Sequence, residues 1–87
     1  MKVIIAVIRD IDEDRVTNQL VSSGFRVTRM SSSGGFLRRG NATLMIGADE
    51  EHLSSVQKLI EGACADPDPG QNRAVLFVLN VKDFKAV

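Results

Sequence analysis

The chain has 87 residues, with 11 Lys or Arg set against 11 Asp or Glu and a formal net charge of zero. That balance argues against a protein that holds nucleic acid on a broad basic surface. One cysteine and one histidine exclude an internal disulfide, a Cys-rich metal framework and a His-based metal cluster. A chain this short makes a single domain, 1–87, with a small core that gains from oligomerisation.

The first element, Val3-Ile4-Ile5-Ala6-Val7-Ile8, is apolar throughout and predicts a buried strand. It is too short for the apolar region of a signal peptide, no cleavage pattern follows it, and no stretch reaches the length of a membrane span. The expectation is a cytoplasmic protein. Asp10 or Asp12 is placed to cap the next helix, predicted over 13–23 with Val16, Leu20 and Val21 on or beside one face. Gly24 stands where a C-terminal glycine belongs. Phe25 to Met30 reads as a second strand and Ala42 to Gly47 as a third, joined by a Ser-Gly loop at 31–40.

The second helix opens near Ala48 or Asp49. Leu53, Val56, Leu59, Ile60, Ala63 and Cys64 recur at helical spacing and form the clearest apolar stripe in the chain. Asp66-Pro67-Asp68-Pro69-Gly70 ends it. Ala74 to Leu79 is the fourth strand, and 81–87 is a tail with no clear pattern. The order βαββαβ predicts a ferredoxin-like α+β fold: a four-stranded antiparallel sheet with both helices on one face. Strands 1 and 4 are apolar at every position, yet two helices cover only one sheet face. The other face therefore calls for a second copy of the chain.

The loop Ser33-Gly34-Gly35-Phe36-Leu37-Arg38-Arg39-Gly40-Asn41 carries the most chemistry. Its glycines allow close backbone approach and anion-binding nests. Its arginines offer forked donors for phosphate, and Phe36 and Leu37 offer a surface for a base. The same run also serves as a plain connection between two strands. It is neither a P-loop nor a dinucleotide fingerprint, because no Gly-Lys-Ser/Thr and no helix follow it. Arg26 and Thr28 share one strand face and form a candidate phosphate and base contact, since an arginine on a covered face needs a counter-charge or an anionic ligand. Asn41 suits a purine edge or a turn. Gly47 marks a turn or a close approach. His52 reads as a surface residue and Cys64 as a packing residue. The acids Asp10, Asp12 and Asp14 read as helix-capping and dipole-stabilising groups. No catalytic or metal constellation emerges, and no cofactor is expected.

These residues together resemble the PII-like cyclic-di-AMP receptors, signal transduction proteins of Gram-positive bacteria. The resemblance runs from Met1 to about Ala65 and again from Ala74 to Phe84. Its most specific part is Gly34-Gly35-Phe36-Leu37-Arg38-x-Gly40-Asn41, supported by Met1-Lys2-x-Ile4-Ile5-Ala6, Gln19-Leu20-Val21 and Phe25-Arg26-x-Thr28. It implies a non-enzymatic homotrimer with inward-facing sheets, a ligand cleft between neighbouring subunits and a downstream protein partner. By resemblance, cyclic-di-AMP is held by Arg26, Thr28, Gly35, Phe36, Leu37, Asn41 and Gly47. Nucleic-acid polymers and membranes are not implied partners. The chain departs from the family pattern in three places. Residues 66–72 stand where the family has a long loop, Ala86 stands where it carries a glutamine, and Arg39 replaces a small residue. Two alternatives stay open: a metabolite-binding module of ACT type, and a PII-like trimer that has lost nucleotide binding.

Overall fold

In the computed structural model, the elements follow one another as β1 (Lys2–Arg9), α1 (Glu13–Ser22), β2 (Arg26–Met30), β3 (Asn41–Ala48), α2 (Leu53–Ala63) and β4 (Ala74–Asn80). The structure describes residues 1–30, 40–83 and 85–87. Short 3-10 turns, Asp10–Asp12 and Glu50–His52, lead into the two helices. The sheet order is β2-β3-β1-β4 and its strand pairs are antiparallel. This is the ferredoxin-like plan that the element order predicts.

Strand periodicity sorts the side chains between two faces. Ile4, Ala6 and Ile8 of β1 pair across to Ile46, Leu44 and Ala42 of β3. They form one buried cluster with Val16 and Leu20 of α1 and Val56 and Ile60 of α2. The predicted stripe of α2 thus faces the sheet, with Leu53, Leu59 and Ala63 packed at the margin of the cluster. Gly24 ends α1 at φ 92°. The N–H of Gly24 donates to the Val21 carbonyl and that of Phe25 to the Leu20 carbonyl, the paired bonds of a Schellman stop.

The opposite face is also apolar. By register it carries Val3, Ile5 and Val7 from β1, with Leu79, Phe77 and Val75 of β4 beside them. Met45 lies across β3 and Met30 on β2. Phe77 is 54% exposed and Leu79 52%, so no described element of the chain covers them. The two-sided apolar character of β1 and β4 read from the sequence is present in the fold.

One expectation is corrected. Neither Asp10 nor Asp12 makes a side-chain cap hydrogen bond to its helix. Asp12 is instead fully buried and ties distant segments together. Its carboxylate accepts from Arg15 at 2.9 Å, from Arg9 Nε at 3.3 Å and from the backbone N–H of Ala65 at 3.0 Å. Arg9 in turn donates to the Ala65 carbonyl at 2.6 Å. Asp12 still occupies the N-cap position of α1, but the 3-10 turn gives it a helical backbone (φ -96°, ψ -7°) in place of the extended one a capping residue takes. Its carboxylate turns inward, where a charge must be fully partnered. Asp12→Ala leaves Arg9 without its buried counter-charge. The expected loss is about 3 kcal/mol, read from the urea midpoint of unfolding.

Candidate ligand-binding site

β2 brings two of the expected residues, Arg26 and Thr28, to the uncovered face, and β3 sets Gly47 beside them. Arg26 lies opposite Gly47 and Thr28 opposite Met45 in the β2–β3 register. The alternation predicted from the sequence holds, since Val27 packs against the core while Arg26 and Thr28 point the other way. Arg29 shares the parity of Val27, and its guanidinium pairs with Asp14 at 3.0 Å and Glu13 at 3.8 Å. The two arginines of β2 therefore differ. Arg29 is spent on α1, whereas among the described residues no salt bridge engages Arg26. An exposed, unpaired guanidinium beside an apolar face is a natural anion contact.

Gly47 has an ordinary φ, and a Cβ there would meet no atom within 4 Å. Neither backbone strain nor packing within the chain requires glycine at this position. What a side chain would obstruct there is space outside the chain, in front of Arg26. Arg26 and Gly47 line an open cleft of about 830 Å³ that also takes in Phe25, His52, Ser55 and Lys58. His52, exposed as the sequence suggests, stands edge-on to Phe25 with ring centroids 6.1 Å apart. The sequence reading missed Phe25 and Lys58 here. Their signal was weak, because each lies on a segment whose core pattern already explained it. Asp49, Glu51 and His52 gather at the start of α2, with potential ligand atoms within 4.8 Å of one another. All three are exposed, and the acids suit a helix N-terminus.

Asn41 lies at the other end of β3, opposite Arg9. At about 3.3 Å per residue, it stands roughly 20 Å from Gly47. Beside it is a second cavity of about 410 Å³, lined by Arg9, Gly70, Asn72 and Arg73 among others. The structure thus joins Arg26, Thr28 and Gly47 and separates Asn41 from them within one chain. Gly35, Phe36 and Leu37 lie outside the described residues, as does Phe84 of the tail.

A small ferredoxin-like domain with one uncovered apolar face and a free arginine at its margin is the class these features define. The chain belongs to the cyclic-di-AMP receptor family, whose model matches residues 1–69. It is also similar to a functionally unknown protein from Pediococcus pentosaceus ATCC 25745, known from a crystal structure. The two share 32% identity with a TM-score of 0.76, over 99% of this chain and 96% of the other. That near-complete coverage extends the likeness of fold through β4. Among the described residues, no helix is long and apolar enough to cross a membrane.

Cys64 is 8% exposed and packs at the end of α2, as expected. Burial pushes its thiol upward, the Asp12 carboxylate adds to this, and Arg9, Arg15 and Arg73 partly offset it. Since the thiolate is the reactive form, Cys64 in the folded protein reacts with a disulfide reagent near pH 8 more slowly than free cysteine. Unfolding in urea restores the rate; fast labelling of the folded chain contradicts the packing described here.

Proposed function

We propose that this protein is a non-enzymatic receptor for cyclic-di-AMP, or a closely related adenine nucleotide, that works as a cytoplasmic homotrimer. Family membership supports the ligand class. The observation that carries the reading is the unpaired Arg26 beside Gly47 at the margin of an uncovered apolar face. A second copy that covers Phe77, Leu79 and Met45 comes to lie against that margin. Ligand, apolar face and subunit contact then form one arrangement.

The separation of Asn41 from Gly47 supports a shared cleft. A folded cyclic dinucleotide is too compact to touch both ends of β3 in one chain. With the sheets of neighbouring subunits packed together, the Asn41 end of one subunit meets the Arg26 and Gly47 end of the next. Arg26 neutralises a phosphate, Thr28 donates a hydroxyl, and Asn41 pairs with a base edge through its amide. Gly35, Phe36 and Leu37 complete the set in this reading, the backbone of the three offering N–H donors and the two apolar side chains flanking a base.

Calorimetry with cyclic-di-AMP, cyclic-di-GMP, ATP, ADP and cyclic AMP tests the ligand. Cyclic-di-AMP binds best, and Arg26→Ala weakens it by about tenfold or more, the cost of a charge-assisted contact. Heat of binding from none of these nucleotides overturns the reading. Light scattering tests the assembly. The wild type runs as a trimer, and Phe77→Asp shifts it toward monomer by placing a charge in the covered face; a wild type that stays monomeric at high concentration refutes the subunit arrangement.

A further inference from the structure

We propose that Arg73, on the short connection between α2 and β4, is a phosphate-binding residue, and that the ligand's phosphate takes it from Asp66. This inference rests on the nucleotide-receptor reading. It assigns a role to the segment that looks merely shortened in the sequence.

The cavity of about 410 Å³ at the Asn41 end is lined by two arginines, Arg9 and Arg73, and by the side-chain amides of Asn41, Gln71 and Asn72, with no carboxylate in its lining. One wall is apolar, from Val7 and Val75 of the sheet. A cationic pocket with amide donors and an apolar wall suits a phosphate attached to a base or sugar.

The two arginines differ in what already holds them. Arg9 is bound to the buried Asp12 and to the Ala65 carbonyl, so its charge is balanced inside the fold. Arg73 pairs with Asp66 at 2.8 Å, and that pair is open to solvent, with side chains 45% and 92% exposed. Exposed pairs of this kind contribute little and exchange readily. A phosphodiester offers the guanidinium fork two oxygens at once inside a partly enclosed pocket, where the interaction is screened less than at Asp66.

The exchange has a structural consequence. Asp66 follows Ala65, whose N–H and carbonyl are pinned by Asp12 and Arg9. The Asp66–Arg73 pair closes the loop between that fixed point and the start of β4. When phosphate takes Arg73, the loop loses this closure and the Asp66 carboxylate, already 92% exposed, is left without its partner. Occupancy of the pocket is thereby reported on the protein surface by a segment of only a few residues.

The test compares wild type, Arg73→Ala and Asp66→Asn by calorimetry, with cyclic-di-AMP, AMP and pyrophosphate as probes. Arg73→Ala binds cyclic-di-AMP about tenfold more weakly, while Asp66→Asn, which removes the competitor, binds it about threefold more tightly. Melting temperatures of both stay near that of the wild type. If the pair only organises the loop, both variants bind more weakly, and that result overturns the proposal. Binding that Arg26→Ala impairs and Arg73→Ala leaves unchanged overturns it while sparing the nucleotide reading. A wild type that binds none of the three probes overturns this proposal, and the nucleotide reading falls with it when cyclic-di-GMP, ATP, ADP and cyclic AMP give no heat either.

Discussion

The buried carboxylate of Asp12 ties together the end of the molecule where β1 runs into α1 and where α2 ends. It lies between β1 and α1, yet it accepts the N–H of Ala65, just beyond the end of α2. A charge in that position is costly unless every lone pair is used. Arg9, Arg15 and the Ala65 amide supply the partners. The result is a fixed junction where the first strand, the first helix and the segment after the second helix meet. Residues 66–73 hang from that junction, and the cavity beside Asn41 has its shape because Arg9 is held there. The backbone N–H of Asp10 donates to the Gly40 carbonyl at 2.8 Å, so the end of the 31–40 loop is moored to the same place.

The sheet has two different jobs on its two faces. One is filled from within the chain by Val16, Leu20, Val56 and Ile60. The other is left as a band of Val, Ile, Leu, Phe and Met, with Arg26 and Thr28 along its β2 margin and Thr43 and Asn41 toward one end of β3. This asymmetry explains the contrast between two arginines on one strand. Arg29, on the filled face, is consumed by acids of α1. Arg26, opposite Gly47 and on the open face, has no salt-bridge partner among the described residues.

Much of this was legible from sequence because it follows from periodicity. Alternation along β2 separates Arg26 and Thr28 from Val27, and helical spacing identifies the buried side of α2. Asp12 misled because an acid just before a helix satisfies the pattern of a cap equally well. Only the 3-10 turn and the distant Ala65 amide distinguish a cap from a buried tie, and neither leaves a local trace. The pocket at Arg73 was illegible for a related reason. Its residues meet because β1 has β3 on one side and β4 on the other, which brings Asn41 and Arg73 to opposite flanks of Arg9. A loop that reads as short in the alphabet of the chain lies, in space, beside Asn41. The Gly-Gly-Phe-Leu-Arg-Arg run, the strongest signal in the sequence, lies outside the described residues, so the site's geometry rests on its flanks.

The strand order has a bearing on how the protein comes into being. β1 precedes the other three strands of the sheet in the chain yet occupies its middle, and its second neighbour, β4, follows them all. Until β4 leaves the ribosome, the central strand presents an open hydrogen-bonding edge and an apolar surface on both sides. Such pairing between chain ends is slow to form, and an uncovered strand edge invites association with other chains. The apolar face that no described element covers thus adds to the exposed surface at the stage when the central strand is still unpaired.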